Sequence, residues 1–190
     1  MSGLPFFSQV LTSQKAAGAA FATYTTAKTV LNQTELVTLP PNYLTIGTTF
    51  RITAKGGLSN IVTTPGTVTF QVMMGTIVAF TTGAIQLNAT AHTLLPINID
   101  VLLRCDTIGT STTAKFLGMA TISGIQPTLT AAQTDAANTS GLFQGPVTAP
   151  AVGTGFDSTI SNILDFWTGF SISNSGNGIQ LYHYMVEQLA

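Results

Sequence analysis

The stretch that decides the fold is residues 67–103, which opens with TVTFQVMM at residues 67–74. Every second residue from Val68 to Met74 is apolar, and the residues between them are mostly polar. This period of two predicts a strand with one face in a core and one in water. The apolar run IVAF at 77–80 continues the pattern, and alternation returns after Pro96. Short alternating runs between turn residues are typical of an antiparallel all-β domain.

Working outward from this stretch, the same alternation predicts more strands. They cover residues 29–39, 48–55, 114–122, 159–172 and 179–189. We expect Gly56-Gly57 to close one strand with a turn, and no stretch has the length and period of an amphipathic helix. The predicted inner face consists of Phe50, Ile52, Val68, Phe70, Val72, Ile97, Ile99, Val101, Leu164, Phe166 and Phe170.

The two segments without clear alternation are expected to lie outside the sheets. Residues 1–28 form an extended N-terminal arm in this interpretation, and residues 29–190 form one β-sandwich domain. Within that domain, residues 126–156 are rich in Pro, Thr, Ala and Gly and are interpreted as a long loop. Such a loop is either a functional protrusion or an element packed on a neighbour.

The scarcity of charge is the unusual feature of the composition. Only 7% of the residues are charged and the net charge is -1, while the mean hydropathy is +0.40. Without clustered Lys and Arg the surface lacks the charge that holds a phosphate backbone, so we expect no nucleic-acid partner. The chain is either a neutral β domain or a protein whose surface is largely covered in an assembly. Because a near-neutral chain tends to associate, we favour assembly.

Membrane and secretory roles have little support in the sequence. No apolar segment reaches the length of a transmembrane helix, so no membrane partner is expected. Residues 1–20 lack the positive start of a secretory signal. Cys105 is the single cysteine, which rules out an internal disulfide and fits synthesis in a reducing compartment.

Residue types that carry catalysis are sparse and scattered. His92 and His183 have no acidic or sulfur neighbour, so neither predicts a metal site. Asp100 and Asp106 flank Arg104, which an ordinary salt-bridged surface explains. Cys105, beside Arg104, is either a thiol of lowered pKa or an incidental half-buried cysteine. We therefore predict no enzyme activity, no catalytic residue, no metal and no cofactor.

Apolar residues in otherwise small or polar segments are the candidate interface residues. They are Phe6, Phe7, Val10, Leu11, Leu142, Phe143 and Trp167. The first four suggest that residues 1–20 dock on a neighbouring subunit. Trp167 is either an exposed anchor for a partner or a side chain that fills the other side of the sandwich. The rival hypothesis is a carbohydrate site built from Trp167, Tyr182 and Tyr184.

The order of motifs resembles a structural pattern of tailed bacteriophages. TELVTLPPNYL at residues 34–44 and IGTTFRI at 46–52 resemble its strand, Gly turn and following strand. FDSTISNILD at 156–165 resembles its last strand entry, and the turn at 174–178 with the strand after it resembles its close.

This resemblance, which covers about residues 30 to 189, implies a small jelly-roll module of about eight strands in two sheets. Such modules serve as capsid decoration (cement) proteins, head fibres or tail-associated binding domains. We therefore expect a homotrimer on the outer surface of an icosahedral head, made in the host cytoplasm, with the major capsid protein as partner. The alternative is a tail- or head-fibre domain that binds a receptor or glycan. Fold alone does not decide between these roles.

Overall fold

A computed structural model describes residues 8–61, 64–124 and 142–189. In these residues the regular structure is strand, apart from the three-residue 3₁₀ helix Gln33–Glu35. The strands are β1 (Gln9–Ser13), β2 (Phe21–Ala22), β3 (Lys28–Thr29), β4 (Val37–Leu39), β5 (Thr49–Asn60), β6 (Thr67–Met74), β7 (Ile77–Thr81), β8 (Ile85–Gln86), β9 (His92–Thr107), β10 (Lys115–Gly124), β11 (Leu142–Gly145), β12 (Asn162–Phe170) and β13 (Gly178–Leu189).

The strands form two antiparallel sheets that pack as a sandwich. The seven-stranded sheet has the order β1-β13-β5-β9-β10-β11, and β2 also pairs with β13. The six-stranded sheet has the order β3-β12-β6-β7, with β4 on β12 and β8 on β6. The predicted all-β sandwich is thus confirmed. The strand number exceeds about eight because short segments such as β2, β3, β4 and β8 pair with the long strands.

The core between the sheets contains every residue of the predicted inner face. All eleven are buried, from Phe50 at 0% exposure to Ile97 at 2%. Aromatic rings connect the two layers, with Phe166 of β12 and Tyr184 of β13 at 6.2 Å between ring centroids. Period-two alternation therefore identified the core correctly in both sheets.

The glycine pair at residues 56 and 57 is not a turn, so that expectation is wrong. Strand β5 continues through both residues to Asn60. A Cβ at Gly56 would lie 2.1 Å from the backbone oxygen of Gln180, and one at Gly57 would lie 2.9 Å from Cα of Leu94. These glycines allow neighbouring backbones to approach closely, which is the other role of glycine within a strand.

Two further expectations about local structure need correction. Residues 29–39 are not one strand, because Glu35 accepts hydrogen bonds from the backbone N (3.2 Å) and Nδ2 (3.1 Å) of Asn32 and so stabilises a turn. The loop predicted at 126–156 contains β11, which pairs with β10. Its residues 126–141 lie outside the described part of the chain.

The described part of the N-terminal arm packs on its own sandwich. Strands β1 and β2 pair with β13, and β3, which begins at the last residue of the arm, pairs with β12. Between β1 and β2, the backbone N–H of Gln14 donates to the carbonyl of Tyr184 at 2.7 Å. The expectation that residues 1–20 dock on a neighbouring subunit is wrong for Gln9–Ser13, because pairing there covers an otherwise open sheet edge.

Candidate functional site

The two outer faces of the sandwich differ in charge. The outer face of the seven-stranded sheet, here called the charged face, carries side chains that alternate with the buried ones of β5, β9 and β13. Its charged residues are Arg51, Lys55, Asp100, Arg104, Asp106 and Glu187. Of the expected acidic partners of Arg104, Asp106 pairs with it at 3.3 Å, whereas Asp100 pairs with Arg51 at 2.6 Å. Exposed pairs of this kind contribute at most about 1 kcal/mol each.

The outer face of the six-stranded sheet, here called the Trp167 face, is nearly free of charge. The strands of this sheet contain two charged residues, the exposed Lys28 of the edge strand β3 and the buried Asp165 of β12. Trp167 lies opposite Gln71, and Asp165 lies opposite Met73. Met73 is only 2% exposed although it is on the outer side, whereas Ile163 on the same face is 43% exposed. This face therefore presents apolar and neutral polar groups around one tryptophan.

Asp165 fixes the orientation of Trp167. Its carboxylate accepts hydrogen bonds from Trp167 Nε1 at 2.6 Å, Thr29 Oγ1 at 2.7 Å and the backbone N–H of Phe166 at 2.7 Å. Burial raises the pKa of Asp165, and these three hydrogen bonds oppose the rise. The indole thus lies half-buried on the outer face rather than inside the sandwich. The spacing Asp165-x-Trp167 is a sequence signal for this contact, since residues two apart in a strand share a face.

The predicted interface residues do not form one surface. Val10 (52% exposed) and Leu142 (45% exposed) lie on strands at opposite edges of the seven-stranded sheet. Five strand spacings separate those edges, or roughly 24 Å. Leu11 packs partly buried against the core, and Phe143 is buried. Trp167 lies on the other sheet, while Phe6 and Phe7 lie outside the described residues.

The aromatic trio proposed for carbohydrate binding is also separated. A β-bulge between Leu181 and His183 changes the parity of β13. Tyr184 consequently points into the core at 0% exposure, whereas Tyr182 is 50% exposed. A single site that uses both tyrosines is therefore a wrong expectation, because a bulge inserts a residue that alternation alone does not reveal.

Cys105 matches the unreactive interpretation. It is fully buried, and its Sγ donates to the carbonyl of Thr107 at 3.4 Å. Burial raises the pKa of Cys105 to about 11, chiefly by desolvation. Within the described ranges, no three His, Cys, Asp or Glu side chains are grouped as metal ligands would be. No helix in this part of the chain has the length and apolarity needed to cross a membrane.

A cleft near the N-terminus was not predicted from the sequence. Tyr24 is 41% exposed beside it, and the Lys28 ammonium lies 4.2 Å from the centroid of the Tyr24 ring. The sequence gives only a faint signal of this cleft, namely a tyrosine and a lysine four residues apart in a segment of Ala and Thr. Because the segment has no fixed period, its sequence does not show that these two side chains lie together.

Comparison with known proteins finds likeness at the level of structure. No protein-family model matches the chain, and no curated protein matches it. The CBM2 module of the evolved Dit of Lactobacillus casei BL23 phage J-1 is 10% identical, with a TM-score of 0.36, and the match covers 98% of each chain. A protein of unknown function from Shewanella oneidensis MR-1 is 9% identical, with a TM-score of 0.35 over 96% of this chain and 79% of that one. At these TM-scores neither likeness supports a functional argument.

Proposed function

We propose that this protein is a virion structural protein: a capsid decoration (cement) protein that binds the outside of an icosahedral phage head. The observation that carries the proposal is the unequal charge of the two outer faces. Six charged residues lie on the charged face, whereas the strands of the six-stranded sheet contain only Lys28, on the edge strand β3, and the buried Asp165. A face of this composition is suited to burial against another protein, because its burial removes little charge from water. The sequence resemblance to phage jelly-roll modules agrees with this role.

Trp167 is the anchor of the proposed interface. Tryptophan is among the residues that contribute most to binding when they lie at the centre of an interface. The hydrogen bond to Asp165 holds the indole before a partner arrives, so little side-chain entropy remains to be lost on binding. Ile163 adds an exposed apolar side chain on the same strand. In this proposal the charged face remains in contact with solvent.

The partner in this proposal is the major capsid protein, and the protein itself forms a homotrimer. Closed symmetry is the usual outcome of self-association, and a trimer suits a position where three shell subunits meet. Contacts that are weak at one site gain strength when three copies bind together. Binding to the assembled shell alone would stabilise that state by mass action. The protein is not an enzyme in this proposal, and a hydrolase screen with a reproducible substrate-specific signal would contradict that part.

The experiment compares two lysine substitutions on opposite outer faces. Gln71→Lys places a charge beside Trp167, and Thr53→Lys places one on the charged face opposite Asp100. Both positions are half-buried in central strands, so each variant controls for the folding of the other. Burial of an unpaired charge at an interface costs about 3 kcal/mol, or about a hundredfold in affinity. We expect Gln71→Lys to lose binding to expanded heads and Thr53→Lys to keep it.

Two further results decide the cement role. Because few ion pairs are available for screening, heads washed in high salt should keep the protein. Heads that lack it should release their genome at a lower temperature than decorated heads. Release by moderate salt, equal heat resistance, or loss of binding by Thr53→Lys alone would contradict the proposal. Mass photometry of the free protein tests the trimer separately.

A further inference from the structure

The N-terminal segment encloses a cleft where it passes from one sheet to the other. Strand β2 lies on β13 of the seven-stranded sheet, and β3 lies on β12 of the six-stranded sheet. Between them is a cavity of about 240 Å³, lined by residues 19–21, Tyr24 and residues 28–32. Pockets for drug-sized ligands begin at about 300 Å³. This cleft therefore has room for one ring-sized ligand.

The apolar wall of the cleft is held by aromatic packing. Phe21 is buried, and its ring centroid lies 6.3 Å from that of Phe170 in the core. Tyr24 packs against Phe21, with 5.0 Å between the ring centroids, and stays 41% exposed. Val30 and Leu31 complete the apolar lining. The tyrosine ring is thus supported from behind and accessible from solvent.

The polar groups of the cleft include one cation. Lys28 is the single charged side chain in the lining, and its Nζ lies 4.2 Å from the Tyr24 ring centroid. In the described part of the chain the ion pairs are Arg51–Asp100 and Arg104–Asp106, so Lys28 has no carboxylate partner there. An exposed cation–π contact contributes only about 0.5–1 kcal/mol. The ammonium can therefore turn toward an anion that enters the cleft.

We propose that this cleft binds a single acidic sugar residue, a six-membered ring that bears a carboxylate or a phosphate. The apolar C–H face of the sugar lies against the aromatic wall, and its acidic group pairs with Lys28. The Asn32 side chain is part of the same lining; one N–H of its Nδ2 donates to Glu35 Oε1 at 3.1 Å, and the other N–H can donate to a ring hydroxyl. A ligand with an apolar face and a polar rim matches this arrangement better than a wholly apolar one. The cleft adjoins the Trp167 face, because Thr29 of its lining pairs with Trp167, but binding of the sugar requires no docking of that face.

The test uses the full chain and defined sugars. Saturation-transfer NMR and calorimetric titration are run with glucuronic acid, with a hexose phosphate and with neutral glucose. Lys28→Met removes the cation, and Lys15→Met is the matched control, because Lys15 is also exposed but is not part of the cleft lining. We expect Lys28→Met to weaken binding of the acidic sugars about tenfold, equal to about 1.4 kcal/mol. Lys15→Met should leave binding unchanged.

The outcomes separate the sources of the anion and can overturn the proposal. A preference for glucuronic acid identifies a carboxylate sugar as the ligand class, and a preference for the hexose phosphate identifies a phosphate sugar. Tyr24→Ala should abolish saturation transfer from either. Absence of transfer at tens of millimolar sugar, equal binding of neutral glucose, or equal affinity in Lys28→Met overturns the proposal. The unfolding temperature of Lys28→Met should match that of the unaltered chain, since the side chain is exposed.

Discussion

Replacing Tyr184 with phenylalanine should stabilise this protein. Tyr184 is completely buried, and its hydroxyl has no hydrogen-bond partner among the described residues. Leaving such a hydroxyl unsatisfied costs about 1–3 kcal/mol. Removal leaves an oxygen-sized hole, which costs only about 0.2 kcal/mol at about 0.024 kcal/mol per Å³. The aromatic contact with Phe166 remains, so we expect a net gain of about 1 kcal/mol.

Thermal and urea denaturation measure this gain directly. For a chain of this size, 1 kcal/mol corresponds to a rise of about 2–4 °C in Tm. Tyr182→Phe is the matched control, since Tyr182 is 50% exposed and its removal should change stability by less than about 0.5 kcal/mol. Burial also raises the pKa of Tyr184, so its phenolate should form only on unfolding. A Tyr184→Phe variant that is less stable by 1 kcal/mol or more would show that the hydroxyl has a partner and would refute the reasoning.

Three other predictions concern single positions. Gly56→Ala should lower the free energy of unfolding by about 3 kcal/mol, because the new Cβ meets the Gln180 backbone oxygen at 2.1 Å. Gly18→Ala is the control and should cost far less, since its nearest contacts are at 3.4 Å. Urea denaturation measures both. The raised pKa of Asp165 means that the folded chain binds this proton more tightly than the unfolded chain, so the free energy of unfolding should fall as pH rises from 3.8 through the raised value. Asp165→Asn should remove that decline, and an unchanged profile would count against it. Cys105, with a pKa of about 11, should resist thiol reagents at pH near 8 and react once the chain is unfolded in urea; rapid labelling of the folded chain would contradict this.

The alternation of apolar and polar residues correctly predicted which side chains of a single strand face the core. The core residues of β5, β6, β9 and β12 follow from period two, because a strand with one buried face must alternate. Gly56 and Tyr184 were misassigned for the opposite reason. The close approach of Gln180 to Gly56 and the bulge that turns Tyr184 inward are properties of paired strands. Neither the close approach nor the bulge can be recognised from the sequence around Gly56 or Tyr184 alone.

The same limit applies to the candidate sites. The Asp165–Trp167 contact has a local signal in its spacing, so it could have been predicted from the sequence. The cleft has only the faint signal of Tyr24 and Lys28 four residues apart, because it exists only where the N-terminal segment crosses from β13 to β12. The segment looked like a free arm because its strands are two to five residues long and show no period. Its pairing partners, the last two strands, lie at the far end of the chain.

The unequal charge of the two faces could not be predicted either, and it bears on the proposed role. The sequence contains only 6 basic and 7 acidic residues, and composition alone does not show where in the fold they lie. The fold brings Arg51 of β5, Asp100 of β9 and Glu187 of β13 onto one face, although they are far apart in sequence. A chain that exposed its neutral face freely would tend to associate through it. Under the proposed function both faces have a use. The Trp167 face is covered by the shell, and the charged face keeps the decorated particle dispersed in water.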